Sequence, residues 1–335
     1  MGNREIAQPG GHRPRCAVQV DMDSFAVMLR YYGHHDGPPP EMFYELAVPR
    51  LLDLFARHGI RATFFVVGAD VRGNAGDWLP KLQAAGHEVA NHTEHHYFCL
   101  PRLPLEQLEA EIVLAEEAIA SRLGERPVGF RSPGYDVDER VLALLESRGY
   151  WYDTSVFPSS IAPAVRLRQA LMQTHRQAQH GTLGRTAFLF APRHPYRPSR
   201  ARLWRADPSR PFVELPVATL PILRLPFHAT AHLAWGGAYF DWGQRWLGSG
   251  DLAFAMHGVD VLGPDRDPID PRLFAQPGVR LRADRKLTRF GHIFEVLSDR
   301  YAFVTSRELA AAHRQELAQG PGRTETAGTM IQHGP

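Results

Sequence analysis

Apolar positions along the chain alternate between short continuous runs and longer stretches at helical spacing. Residues 16–20 form an apolar run that ends in Asp21-Met22-Asp23 and reads as a strand. After the prolines at 38–40, Leu46, Val48, Leu51, Leu52, Leu54 and Phe55 recur at roughly helical spacing as far as Gly59. Residues 62–67 (ATFFVV) predict a second buried strand, 79–85 a helix stopped by Gly86, and 87–91 a third strand. Residues 105–123 carry Leu108, Ile112, Leu114, Ala115, Ile119 and Leu123, the clearest amphipathic helix, closed by Gly124. A fourth strand follows at 128–130 and a helix at 138–147 before Gly149. Further strands are expected near Tyr150, Leu189, Val213, Leu252 and Ala302, then a last helix over 306–317 with Ser306 as its cap.

Repeated strand–helix units imply a parallel sheet with crossover helices. This many units predict an α/β fold, an open or closed β/α barrel, with its chemistry at the C-terminal ends of the strands. One catalytic domain is expected over 15–312, between disordered tails at 1–14 and 313–335. Within it, 158–212 breaks the rhythm and is rich in arginine and proline, with six arginines between Arg193 and Arg210. It reads as a solvated insertion, or as a rim whose guanidinium groups grip phosphate.

Composition narrows the classes. Hydrophobic residues at 44% of 335 supply a sizeable core, and 22% charged residues exclude wholesale disorder. Thirty-eight basic residues against 36 acidic ones leave a net charge of +2, which argues against a nucleic-acid partner. Two cysteines, Cys16 and Cys99, rule out a disulfide framework and are expected as buried thiols. No apolar run reaches the length of a membrane span. The polar start, MGNREIAQPGGHRPR, lacks the apolar stretch of a secretion signal, so a cytoplasmic enzyme is expected. Oligomeric state is not readable.

Several predicted strands end in ionisable residues, as the barrel requires. Asp21 and Asp23 follow the first, His92, His95 and His96 the third, Arg131 the fourth, and His257 the run LAFAM. His92 and His96, four apart, converge on one ion if their segment turns helically, and His95 is the alternative partner. A carboxylate from Asp21 or Asp23 completes a His₂-carboxylate set with open positions, the arrangement of a catalytic metal. The i, i+2 spacing puts both carboxylates on one strand face, where they repel each other unless a cation intervenes.

These ordered motifs resemble the polysaccharide deacetylase family, also called the NodB-homology or carbohydrate esterase 4 family. Ala62-Thr63-Phe64-Phe65-Val66-Val67-Gly68 resembles its second strand. Gly86-His87-Glu88-Val89-Ala90-Asn91-His92-Thr93 followed by His96 resembles its metal-binding motif. Phe130-Arg131-Ser132-Pro133 resembles its third motif, and Ala255-Met256-His257 its late histidine strand. The likeness is strong over about 16–157 and weaker to about 310. It implies a distorted (β/α) barrel and an amide hydrolase using one divalent metal ion, Zn²⁺ first, with Co²⁺, Mn²⁺ or Fe²⁺ accepted by the same donors. By the same likeness Asp23, His92 and His96 are the metal ligands and His95 a spectator. Asp21 is the catalytic base, Arg131 its partner and His257 the general acid.

Two departures bear on substrate. The first motif is Asp21-Met22-Asp23-Ser24, where the common form has adjacent aspartates, and Gly134 then Tyr135 follow the proline that an aromatic usually follows directly. The family's fourth motif, Asp-Trp, aligns with Asp241-Trp242. Substrate contacts are therefore expected from Gly134, Tyr135, Asp241 and Trp242, with a backbone N–H near Gly134 or Tyr135 facing a developing oxyanion. Tyr31, Tyr32, Tyr97, Trp235 and Tyr239 supply aromatic surface around the site, and 221–226 with His228 and His232 a loop wall. The leading expectation is hydrolytic removal of an acetyl or formyl group from the nitrogen of an amino sugar or glycoconjugate precursor. The substrate is a small molecule, or is linked to a lipid or nucleotide. The alternatives are hydrolysis of a non-sugar cyclic imide or ureide, which the Asp-x-Asp motif supports, and a metal-binding relative without catalysis.

Overall fold

The structure, a computed structural model, describes residues 13–165, 167 and 184–316 of the chain. Its elements run β1 (Arg15–Asp21), α1 (Phe25–Tyr31), α2 (Pro40–Arg57), β2 (Thr63–Val66), α3 (Gly68–Val71), α4 (Leu79–Ala84) and β3 (Glu88–Asn91). There follow α5 (Leu105–Leu123), β4 (Gly129–Phe130), α6 (Glu139–Ser147), β5 (Tyr152–Asp153) and β6 (Val213–Glu214). The last elements are α7 (Ala229–Trp235), α8 (Gly237–Gly243), β7 (Leu252–His257), α9 (Ala283–Arg300), β8 (Ala302–Val304) and α10 (Ser306–Glu316).

The strands form one sheet in the order β6-β5-β4-β3-β2-β1-β7, with β8 also on β1. Every ladder is parallel, so the C-terminal strand ends lie together at one end. A lone parallel bridge between Val217, just past β6, and Ala253 of β7 links the two edges. The sheet thus curls into the distorted (β/α) barrel that the strand–helix alternation implies.

Period-2 alternation sorts side chains to the two faces. On β1, Cys16, Val18 and Val20 join the larger core cluster beneath α2 and α9. Ala17 joins a separate cluster with Phe65, Ala90, Tyr152 and Leu215 inside the curl. Gln19 and Asp21 share the inner face with Ala17, which aims Asp21 at the open end of the barrel. In α5, Leu108, Ile112, Ala115 and Ile119 are buried, and Gly124 ends the helix with a left-handed φ of 73°, its N–H donating to the Ala120 carbonyl at 2.8 Å.

Several expectations need correction. Leu189 lies in a 3-10 helix over Thr186–Phe190, not a strand. The cap of α10 is Thr305, whose Oγ1 accepts from Glu308 N–H at 3.2 Å while Glu308 Oε2 accepts from Thr305 N–H at 2.9 Å. The Ser306 hydroxyl instead accepts from Gln19 Nε2 at 3.0 Å. The 18-residue α9 was not foreseen, although Leu287, Phe290, Ile293, Phe294 and Leu297 mark its apolar face.

At the tails, the Pro14 carbonyl accepts from Ala302 N–H at 2.9 Å, and residues 313–316 continue α10. The rest of both expected tails, 1–12 and 317–335, lies outside the described residues, as do 166 and 168–183 of the 158–212 segment. The remainder of that segment mixes buried anchors with exposed residues. Tyr196, Leu203 and Arg210 are buried, and Tyr196 bridges Glu214 at the sheet edge.

Candidate metal and catalytic centre

Asp23, His92 and His96 come together just beyond β1 and β3. One donor atom from each lies within 4.8 Å of the others. His92 Nδ1 sits 2.7 Å from the Arg131 carbonyl, which can only accept, so Nδ1 carries the proton and Nε2 presents its lone pair to the cluster. His92 Nε2 is 3.4 Å and His96 Nε2 3.2 Å from Asp23 Oδ1.

The segment between the two histidines is not helical. Thr93 and His96 take left-handed φ values of 67° and 57°. Asn91 Oδ1 accepts from Thr93 N–H at 2.8 Å, and Thr93 Oγ1 accepts from His96 N–H at 3.0 Å. Asn91 is itself anchored by donating to the Ile112 carbonyl and the Tyr150 hydroxyl. A pinned turn thus produces the convergence that a helix was expected to give. It also turns His95 outward, where its Nδ1 lies 2.6 Å from Glu111 Oε1, so His95 is not in the cluster.

Asp23 Oδ1 is buried with no hydrogen-bond donor in conventional geometry. Burial opposes its charge, but His96 and His92 outweigh that and hold the carboxyl well below its usual range. An ionised carboxylate oxygen and two imidazole nitrogens around a shared point, with room on the cleft side, fit a divalent cation.

Asp21 and Arg131 form the second part of the centre. Arg131 is fully buried, and its Nη1 donates to Asp21 Oδ1 at 2.6 Å. Its Nη2 donates to Gln19 Oε1 and, at 3.2 Å, to Thr154 Oγ1, while Nε donates to the Thr154 carbonyl at 3.2 Å. Phe65 packs 4.6 Å below the guanidinium. An arginine without water is tolerated only when its donors are satisfied and its charge is paired, and both conditions hold. Gln19 and Thr154 were missed in the sequence. Gln19 was findable, because it lies two residues before Asp21 on the same strand face.

His257 ends β7 opposite Asp21, with Nε2 3.9 Å from Asp21 Oδ2. Its backbone N–H donates to Asp260 Oδ2 at 2.9 Å. Burial disfavours its charged form, but the Asp260 carboxylate, 3.9 Å from Nδ1, and the negative fields of Asp21 and Asp23 prevail, pushing the imidazole up to about 9. That is well above the near-neutral value an ordinary histidine offers.

Gly134 and Tyr135 line the same cleft, both in left-handed backbone (φ 64° and 62°). The Tyr135 N–H donates to the Ser132 carbonyl at 3.1 Å, so of the two N–H groups expected to face an oxyanion this one is already engaged. Asp241 and Trp242 are not brought to the cleft. Both are exposed on α8, where Asp241 Oδ1 pairs with His292 at 3.0 Å.

The cleft holds about 450 Å³. Asp21, Asp23, His92, His96 and His257 form its polar wall. Val27, Met28, Tyr31, Phe98, Phe157, Ile161, Pro226 and Trp235 make most of the remainder apolar. No lysine or arginine lines it among the described residues. The six arginines of 193–210 are spent elsewhere or face solvent. Arg193 donates to the Thr219 carbonyl, Arg197 to the Pro208 carbonyl, and Arg200 and Arg210 to Glu146, while Arg202 and Arg205 are exposed. None of them forms the expected phosphate-gripping rim of the cleft. His228, on the far side, is drawn down to about 4 by burial and then by His257, so it is neutral.

Behind Arg131 lies a pair the sequence did not reveal. Asp153 and Glu214, cross-strand partners at the ends of β5 and β6, are both fully buried. Asp153 accepts from Ser155 N–H and Oγ, and Glu214 Oε1 from Val156 N–H at 3.0 Å. Burial and the Asp153 charge hold Glu214 well above the usual carboxyl range, so it keeps a proton.

With this geometry in place, the comparisons are specific. Residues 34–152 match the family profile described as polysaccharide deacetylase. The match contains His92, His96 and Arg131 but not Asp21, Asp23 or His257, which the fold supplies from β1 and β7. A peptidoglycan deacetylase of Helicobacter pylori is 29% identical over 151 residues, 44% of this chain and 51% of that protein. A peptidoglycan deacetylase-like protein of Gibberella zeae is 36% identical over 167 residues, 47% and 48% of the two chains. A chitooligosaccharide deacetylase of a Bradyrhizobium species is 37% identical over 120 residues, 36% and 52% of the two. The chain thus spans about half the length of the relatives it matches. A solved structure from Mycobacterium smegmatis, assigned to the polysaccharide deacetylases, superposes with a TM-score of 0.59 over 93% of both chains at 17% identity, which shows a shared fold. Residues 34–152 thus resemble the polysaccharide deacetylases in sequence, and the fold as a whole is one found in that family.

Proposed function

We propose that this protein hydrolyses an amide, releasing an acetyl or formyl group from the nitrogen of an amino sugar within a glycoconjugate or oligosaccharide. The observation that carries the reading is the meeting of three functions in one cleft: the Asp23–His92–His96 donor set, the Asp21–Arg131 pair and His257. The names of the relatives, which act on peptidoglycan and chitooligosaccharides, support a sugar amide. The absence of cationic side chains among the described lining residues favours a substrate without a nucleotide phosphate at the site.

Asp23, His92 and His96 would hold one divalent ion, with zinc the first expectation. Such an ion supplies Lewis acidity, polarising an amide carbonyl and acidifying water. Asp21 accepts the proton of the attacking water. Arg131 holds Oδ1 of that carboxylate and leaves Oδ2 facing the cleft and His257. Water oxygen bonds to the acyl carbon and the carbon–nitrogen bond breaks. His257 delivers a proton to the departing nitrogen, giving a carboxylate and a free amine. The raised affinity of His257 for its proton keeps it charged at neutral pH, as a proton donor requires.

The apolar far wall and the Asp-x-Asp motif favour a second reading, a compact cyclic imide or ureide. Release of acetate or formate from N-acylated glucosamine oligomers, against ring opening of hydantoin, separates the two with zinc-loaded protein. Whichever substrate responds, Asp21→Asn is expected to lower kcat by about 10²–10⁴-fold while metal content is unchanged. An unchanged kcat would remove Asp21 from the reaction.

A further inference from the structure

Beside the cleft mouth stand the two most exposed large apolar side chains among the described residues, Ile222 and Phe190. The chain folds back between Thr219 and Pro226 through an antiparallel bridge, and Ile222 and Arg224 at its tip take left-handed φ values of 61° and 49°. A β-branched residue rarely adopts that conformation, and here it thrusts Ile222 outward, 87% exposed, with Leu223 at 60%. Phe190, 74% exposed, is held close by, because Arg224 Nη1 donates to the carbonyl of its neighbour Ala191 at 2.7 Å. Nothing within the described chain covers these three side chains.

A row of aromatic rings continues from the hairpin. The Tyr239 hydroxyl donates to the Pro226 carbonyl at 2.5 Å. Its ring lies 4.6 Å from Trp235 and 6.1 Å from Trp242, and Trp242 lies 6.3 Å from Trp246. All three tryptophans are about half exposed.

Along the sequence, charge is segregated in the stretches that carry this face. The chain has no acidic residue from 154 to 206, a span with nine arginines, and none from 215 to 240, although the protein as a whole is nearly balanced at +2. Arg224 stands in the hairpin tip and Arg193 at its base, Arg193 donating to the Thr219 carbonyl at 3.0 Å through Nη2.

We propose that this face docks on an anionic lipid bilayer. Ile222, Leu223 and Phe190 enter the boundary between headgroups and acyl chains, the Trp/Tyr row lies at headgroup level, and Arg224 with Arg193 meets lipid phosphates. A bilayer accepts a projecting apolar tip without shape complementarity. A stable protein interface needs about 800 Å² of fitted surface per partner, which a hairpin tip does not offer. Pro226 and Trp235 belong both to this face and to the cleft wall, so docking brings the cleft mouth to the membrane surface.

Co-sedimentation of the full chain with phosphatidylcholine vesicles, with and without 25–30% phosphatidylglycerol, tests the proposal without any assay of catalysis. Binding to the anionic vesicles is expected, weakening as salt rises. The doubly substituted Ile222→Asp/Leu223→Asp protein is expected to partition about tenfold less or weaker while keeping its far-UV circular dichroism and metal content. Equal binding by the variant, no binding to anionic vesicles, or capture by a polyanion such as heparin but not by vesicles would overturn it. Because vesicle binding and hydrolysis are read separately, failure of one leaves the other standing.

Discussion

The two walls of the cleft are held in different ways. On the polar wall directional bonds fix Asp21 and His92 and the turn that carries His96. Arg131 spends its donors on Asp21, Gln19 and Thr154, His92 is tied to the Arg131 carbonyl, and the turn carrying His96 is pinned through Asn91 and Thr93. On the apolar wall the contacts are between rings. Tyr135 meets Phe157 at 5.4 Å, Phe157 meets His228 at 5.5 Å, and Trp235 meets Tyr239 at 4.6 Å. Proton transfer and metal binding require atoms held to a few tenths of an ångström, whereas apolar recognition tolerates adjustment. Apart from His257 at the end of β7, the polar wall comes from β1 to β4 and their short connections, while the apolar wall combines α1 and Phe98 with the long excursions between β5 and β7.

The sharpest way to break the polar wall is to remove Arg131. In metal-free protein, Arg131→Met leaves the buried Asp21 carboxylate uncompensated and is expected to cost about 3–5 kcal/mol in urea unfolding. Adding Asp21→Asn to that variant should recover a large share, because the stranded charge is gone. A loss below about 1 kcal/mol for Arg131→Met alone would show that the ion pair does not organise this wall.

A smaller effect probes the support behind it. Glu214→Ala strands the Val156 N–H and is expected to cost about 1–3 kcal/mol, whereas Glu214→Gln, which mimics the neutral acid, should cost less than about 1 kcal/mol. The pH dependence carries the sign. Above the unfolded value of 4.5, the unfolded chain releases the Glu214 proton while the native protein retains it, so the native state binds more protons. This group therefore makes stability fall as pH rises from about 4.5 toward its raised native value, and Glu214→Gln should flatten that slope. Equal slopes in the two proteins would place the proton elsewhere.

The polar wall was largely legible in the sequence because its signals are local. Asp21 and Asp23 share a strand end, His92 and His96 lie four apart, and each follows an apolar run short enough to be a buried strand. The apolar wall was not legible. Phe157, Ile161, Pro226 and Trp235 are brought together by connections without a period of their own, so no local spacing marks them as neighbours. The same limit hid Gln19 and Thr154, which act through Arg131, and the Asp153–Glu214 pair, whose partners are 61 residues apart in the chain and meet only through sheet register. Asp241-Trp242 shows the opposite failure, a short motif that the fold carries to an exposed helix. The conformation of 91–96 shows a third case, in which the correct convergence arises from a pinned left-handed turn in place of helical spacing.

The central claim is that Asp23, His92 and His96 form a single divalent-metal site. Elemental analysis of the purified protein, after zinc loading and removal of free metal, tests it directly. About one divalent ion per chain is predicted for the unaltered protein and less than about a tenth of that for His92→Ala/His96→Ala. Absence of metal from both, or equal metal in the two, would contradict the account.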